Sequence, residues 1–164
     1  MDKYTVIRTD NLSGTDQRAD LLSVRVYDAD GAMIDAENGA IVKVGALEDG
    51  EREIYKATLA TAGDKVDDCA ILAGVEVMYD ERKRNLDEYI NEAGKPIRAY
   101  IPRNRNFFGV TAKGFVGGVV PTVEAEVGIG ADGKIDAGAT GLGVCKAIEA
   151  AGRYTYYVIQ IKKA

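Results

Sequence analysis

Four groups of side chains in this 164-residue chain are of types that do chemistry. Acids come in close pairs at Asp67-Asp68, Asp80-Glu81, Asp87-Glu88 and Glu124/Glu126. Acid–base catalysis needs one such acid in a concave site that raises its pKa, and spacing alone places none of them there. Glu124 and Glu126 stand two apart in an alternating stretch, which puts both on the solvent face of a strand. Two thiols, Cys69 and Cys145, occur in a chain that has no histidine. The usual base that makes a cysteine nucleophilic is therefore missing. Each thiol sits in an apolar stretch and reads as a small buried hydrophobe, not half of a disulfide.

The third group is loop-like. DADGAMIDAENG, residues 28–39, begins as a calcium loop does, but its fifth, sixth and twelfth positions are Ala32, Met33 and Gly39. An acid or Asn, a Gly and a Glu are needed there, so a hairpin turn explains the stretch. GIGADG and GLGVCK lack the closing Gly-Lys-Ser/Thr of a phosphate loop and open no helix; both read as turns. The fourth group is basic: Arg82, Lys83, Arg84, Lys95, Arg98, Arg103 and Arg105, followed by Phe107 and Phe108. Bases interleaved with aromatics bind nucleic acid in some proteins, but this chain carries a net charge of −5, which argues against that partner. A local basic surface facing an acidic protein suits the balance better. By alternation Phe108 faces the core and Phe107 the surface. No side-chain cluster has metal-ligand spacing, and no cofactor fingerprint is present.

The elements that would position these residues are mostly strands. Hydrophobic content of 46% and charged content of 29% are those of a soluble globular domain. The length suits one domain with a core of its own. Charge is unevenly spread: residues 1–70 hold eight Lys/Arg against fifteen Asp/Glu, while residues 82–113 hold eight against three. No apolar run reaches membrane-spanning length, and the N-terminus lacks a secretory signal.

Residues 1–20 are polar after a short apolar start and read as an arm, flexible or loosely held as a strand. LLSVRVYDADGAMID reads as a hairpin turning at Asp30-Gly31. A strand over 40–46 follows the Asn38-Gly39 turn, and REIYKATLA is another. CAILAGVEVMY reads as one continuous apolar strand in which Gly74 marks a bulge or a close approach. Leu86, Tyr89, Ile90 and Ala93 recur at helical spacing, and Asn85 with Glu88 forms a capping-box pattern. A short helix over about 85–93 is expected, ended by Gly94 and Pro96, with Leu86, Tyr89 and Ile90 turned inward. There the helix dipole accounts for Asp87 and Glu88. PIRAYIP and NFFGVTAKGF return to strands. PTVEAEVGIG and KIDAG flank an Asp132-Gly133 hairpin turn, and LGVCKAIEA and RYTYYVIQIK meet at Ala151-Gly152. Many short strands, glycine-rich turns and one short helix predict a mainly β fold, a small antiparallel barrel or sandwich.

NGAIVKVGALEDGEREIYKA, EVMYDE, NEAGKPIRAY and FFGVT together resemble tailed-phage and prophage capsid decoration proteins, the head-stabilising or cement type made alongside a major capsid protein. The resemblance spans roughly residues 37–115, with a weaker echo in the C-terminal third and none in the first 35 residues. It implies a non-enzymatic virion protein, without cofactor or metal. Such a protein is made in the bacterial host cytoplasm, binds the outer capsid surface and bridges major capsid subunits. Homo-oligomerisation is left open, and neither nucleic acid nor membrane is an expected partner. The expected capsid contacts are Arg82, Lys83, Arg84, Lys95, Arg98, Arg103, Arg105 and Phe107. The alternatives are a head–tail joining or tail-assembly protein on the same β framework and, behind it, a small ligand-binding barrel or enzyme.

Overall fold

Period-two runs of β-branched and aromatic residues build the strands of the computed structural model, which describes residues 3–8, 20–80 and 82–163. Among these residues the strands are β1 (Ile7–Arg8), β2 (Leu21–Tyr27), β3 (Ile41–Leu47), β4 (Ile54–Leu59), β5 (Cys69–Leu72) and β6 (Ile97–Tyr100), then β7 (Phe107–Val110), β8 (Glu126–Ile129), β9 (Ile135–Asp136), β10 (Gly143–Ala151) and β11 (Tyr154–Ile161). The fold is mainly β, as the sequence predicts.

Strands β2, β4, β3, β5 and β6 close into a barrel in that order, and β1, β7, β11, β10, β8 and β9 form a second sheet in that order. The barrel pairs are antiparallel except β2 with β4, which run parallel with Val24 opposite Tyr55. A five-stranded barrel has a narrow lumen that small side chains must fill. Val24, Val26, Val42, Ala57, Ala70, Leu72, Ile97 and Ala99 fill it.

The second core lies between the barrel wall and the six-stranded sheet. Ile41, Cys69 and Ile71 reach it from the barrel, and Phe108, Phe115, Val127, Leu142, Ile159 and Ile161 reach it from the other side. Strand β5 thus has both faces buried, which is why CAIL is apolar without alternation. Residue 133 shows how tightly the layers meet. Gly133 has φ 69°, and a Cβ there would lie 2.6 Å from the Ile41 carbonyl oxygen, so only glycine fits this turn. Asp132 beside it also has positive φ, 54°, and the turn joins β8 to β9 as a hairpin. Strands β10 and β11 form the long C-terminal hairpin around Gly152, with a bulge between Cys145 and Ala147.

Several local expectations change. The helix expected over about 85–93 is a single 3₁₀ turn, Leu86–Glu88. Its capping box forms as expected, but the next residues are extended. The Asn91 N–H donates to the Ala36 carbonyl at 3.0 Å and the Ala36 N–H to the Asn91 carbonyl at 2.9 Å. A long-range strand-like bridge therefore takes the backbone groups that a helix would use. Leu86 points outward, 38% exposed, and the inward residue is Asp87, 5% exposed. CAILAGVEVMY is a ladder strand only as far as Leu72. PTVEAEVGIG is a strand only from Glu126, and Glu124 sits at φ 67° outside it. The hairpin after β2 turns at Asp30-Gly31 and returns through a single bridge, Tyr27 to Met33, because the ladder positions on β2 belong to β4 and β6. Of the N-terminal arm, β1 is paired to β7 with Ile7 opposite Val110, and residues 1–2 and 9–19 lie outside the described residues.

Candidate functional site

Beyond Leu72 the chain leaves the barrel as an extended segment, residues 73–80. The first residues are pinned by a buried amide pair. The Gly74 N–H donates to Asn38 Oδ1 at 2.8 Å, and Asn38 Nδ2 donates back to the Gly74 carbonyl at 3.0 Å. Asn91 Nδ2 donates to Asn38 Oδ1 and to the Ala36 carbonyl, both at 2.9 Å, and the Tyr89 hydroxyl donates to Asn91 Oδ1 at 3.0 Å. A Cβ on residue 74 would lie 2.1 Å from Asn91 Oδ1. The close approach expected at Gly74 is therefore real, and it is made to an amide side chain.

From here the chain alternates with its apolar side chains outward. Val75, Val77 and Tyr79 are 57%, 51% and 93% exposed, while Glu76 and Met78 between them are half-buried. Burial pushes the Glu76 carboxyl above its usual range, and the Asn38 amide, 3.5 Å away, pulls it partly back. An open depression of about 440 Å³ runs along this segment, lined by Met78, Tyr79, Lys83, Tyr89, Glu92 and Lys95 among others. Of the three bases that follow, Lys83 lines it. Arg82 is folded back on Asp80 through two 3.0 Å bonds from its guanidinium, which holds Asp80 below the usual carboxylate range. Lys83 lines the depression without an ion pair among the described residues. The Arg84 N–H donates to Glu88 Oε2 at 3.0 Å.

The eight predicted contact residues do not form one surface. Arg82, Lys83, Arg84 and Lys95 gather around the 75–97 region, and Lys95 is paired to Glu92 at 2.5 Å. Arg98 projects from β6 beside the same segment, next to Val75 and Pro96. Arg103 is held by the buried carboxylate of Asp20 at 2.8 Å. Arg105, at φ 71° in the turn before β7, lies with Lys146, Lys162 and Lys163 on another face. Phe107 is half-buried and opposite Gln160, while Phe108 is fully buried as expected.

The acid pairs do not converge either among the described residues, outside which Glu81 lies. Lys163 reaches Asp67, Lys146 reaches Glu124 and Lys162 reaches Glu126. Asp87 accepts from the Tyr154 hydroxyl at 2.6 Å and from the Lys3 N–H at 3.3 Å, with Arg153 at 3.5 Å. These partners, the Tyr154 hydroxyl above all, hold its carboxyl low. Both cysteines are buried and unbridged, and burial pushes the Cys69 thiol up to about 11. No group of three or more metal-ligating side chains occurs among the described residues, and no helix among them is long and apolar enough to cross a membrane.

The arrangement on this face is suited to binding: an apolar row on an extended backbone, a polar anchor at one end and bases at the other. Sequence reading missed the row and both buried asparagines. The available signal was Gly74 itself, soon after which Glu76 is the first charged residue in the apolar run. No family model, no curated protein and no solved structure matches the chain.

Proposed function

We propose that this chain is a non-enzymatic structural protein of a phage virion. It binds the outer surface of the capsid and stabilises the shell by bridging major capsid subunits. The reading is carried by the exposed Val75–Val77–Tyr79 row beside Arg82, Lys83 and Arg84. Contiguous exposed apolar side chains rimmed by charge mark protein interaction surfaces. The resemblance to capsid decoration proteins supports the same reading. Its strings fall on β3, β4 and β6 of the barrel, on part of the extended segment and on β7 of the six-stranded sheet. A protomer touching two neighbouring subunits gains by linkage about 10²- to 10⁴-fold over either contact alone, so modest individual contacts suffice to reinforce a shell.

Mass spectrometry of purified particles tests this directly. The expected result is a copy number comparable with that of a capsid component. Reversing the charge of Arg82, Lys83 and Arg84 together is expected to reduce association with shells. A few copies per particle would place the chain at a portal or tail instead, and absence from the particle would overturn the reading.

A further inference from the structure

We propose that residues 75–79 are a docking edge that takes an extended strand of the major capsid subunit by β-augmentation, a strand with apolar residues at alternate positions and an acidic flank. The inference rests on the capsid-binding reading and adds the mode of contact and the chemistry of the partner segment.

Most of the backbone of this segment is unpaired among the described residues. The last ladder-like bonds of the strand run from the Leu72 N–H to Ala40 at 2.9 Å and from the Ala73 N–H to Arg98 at 2.9 Å, and the Gly74 N–H turns to Asn38. Beyond them a local bond from the Val77 N–H to the Val75 carbonyl, 2.8 Å, is the one backbone bond within 75–79. The N–H groups of Val75, Glu76, Met78 and Tyr79 and the carbonyls of Glu76, Val77, Met78 and Tyr79 have no protein partner among the described residues. Folded proteins ordinarily protect such a stretch with inward charge, proline or a covering element. Here neither proline nor a covering element is present among the described residues: the outward residues are two valines and a tyrosine, and the half-buried Glu76 is the one inward charge. Alternate residues present their peptide groups to opposite edges, so an added strand would pair with Glu76 and Met78, whose N–H and carbonyl groups all lack a protein partner among the described residues, while its alternate side chains packed on the apolar row.

Charge selects the occupant. Lys83 and Arg98 flank the edge without an ion pair among the described residues, whereas Arg82 is paired to Asp80 and Lys95 to Glu92. A second copy of this chain would bring the same bases against themselves, whereas a strand with acids at its flank meets them favourably.

Hydrogen–deuterium exchange of the full chain, alone and on shells assembled from the major capsid protein made alongside it, decides the matter. The Glu76 and Met78 amides should exchange fast in the free chain and at least about tenfold more slowly on shells. Val77→Lys should weaken sedimentation with shells about tenfold or more and leave the melting temperature unchanged, since Val77 is surface-exposed. Wild-type protein that binds shells with Glu76 and Met78 unprotected would overturn the docking edge and leave the capsid reading standing. Protein that does not bind shells overturns both. Protection of Glu76 and Met78 in a dimer of the free chain would assign the edge to a second copy and overturn the proposed occupant.

Discussion

Asp87 ties two distant stretches, Lys3–Tyr4 and the start of β11, to its own turn. Its carboxylate accepts from the Tyr154 hydroxyl at the start of β11 and from the Lys3 N–H, and its own carbonyl accepts from the Tyr4 N–H at 2.9 Å. A buried carboxylate that loses a donor keeps its desolvation cost, so Tyr154→Phe should destabilise the fold at neutral pH by about 1–3 kcal/mol. The pH dependence has a definite sign. The folded protein holds Asp87 below the 3.8 of an unperturbed aspartate, with the Tyr154 hydroxyl as the largest cause. The stabilisation is therefore present above that unperturbed value and is lost as pH falls through the lower folded value. Removing the hydroxyl moves the folded value back toward 3.8, so the gap between wild type and Tyr154→Phe should be widest at neutral pH and shrink in strong acid. Urea unfolding at three pH values, neutral to strongly acidic, measures it. A gap that stays constant would mean that the Tyr154 hydroxyl does not set the Asp87 carboxyl.

At the scale of elements, the extended segment and the 3₁₀ turn are held by one amide pair, Asn38 and Asn91, with Gly74 between them. Gly74→Ala puts a methyl group 2.1 Å from Asn91 Oδ1, far inside van der Waals contact. The amide must move, and the bonds it makes to Ala36, Asn38 and Tyr89 go with it. A loss of about 2–4 kcal/mol is expected, with faster amide exchange at Asn91 and Ala36, and a wild-type exchange pattern there would contradict the pinning role. The same elements show what local pattern can and cannot tell. Gly74 announced a close approach, the Asp132-Gly133 turn and the β10–β11 hairpin follow from their turn residues, and both cysteines are buried as their apolar settings suggest. The helix over 85–93 was misleading because Leu86, Tyr89 and Ile90 have helical spacing, while the deciding partner of Asn91 is Ala36, 55 residues away. Long-range pairing overrides a one-turn propensity. The two faces of Val75–Tyr79 were not legible, because Met78 keeps the run apolar and it reads as one continuous strand. Which face meets water depends on the Asn38–Gly74 anchor.

For the whole molecule, β5 decides how the two sheets depend on each other. Ile71 and Leu72 are adjacent, both fully buried, and point into different interiors. Ile71 faces the core shared with the six-stranded sheet, and Leu72 fills the barrel lumen. If the barrel opened, the wall that covers Phe108, Val127 and Ile159 would be lost as well, and those side chains would meet water. Neither sheet can then unfold without exposing the apolar face of the other, so one cooperative transition is expected. Ile71→Ala and Leu72→Ala each remove buried methyl groups and leave a cavity, and each should cost about 2–5 kcal/mol. Both should shift the same single transition. The chain has no tryptophan, so fluorescence comes from its nine tyrosines, among them Tyr27, Tyr55 and Tyr100 in the barrel strands and Tyr154, Tyr156 and Tyr157 in β11. Its urea curve should coincide with that of far-ultraviolet circular dichroism in the wild type and in both variants. Two separated transitions, with Leu72→Ala moving only one of them, would show that the barrel and the six-stranded sheet are independent units despite the strand they share.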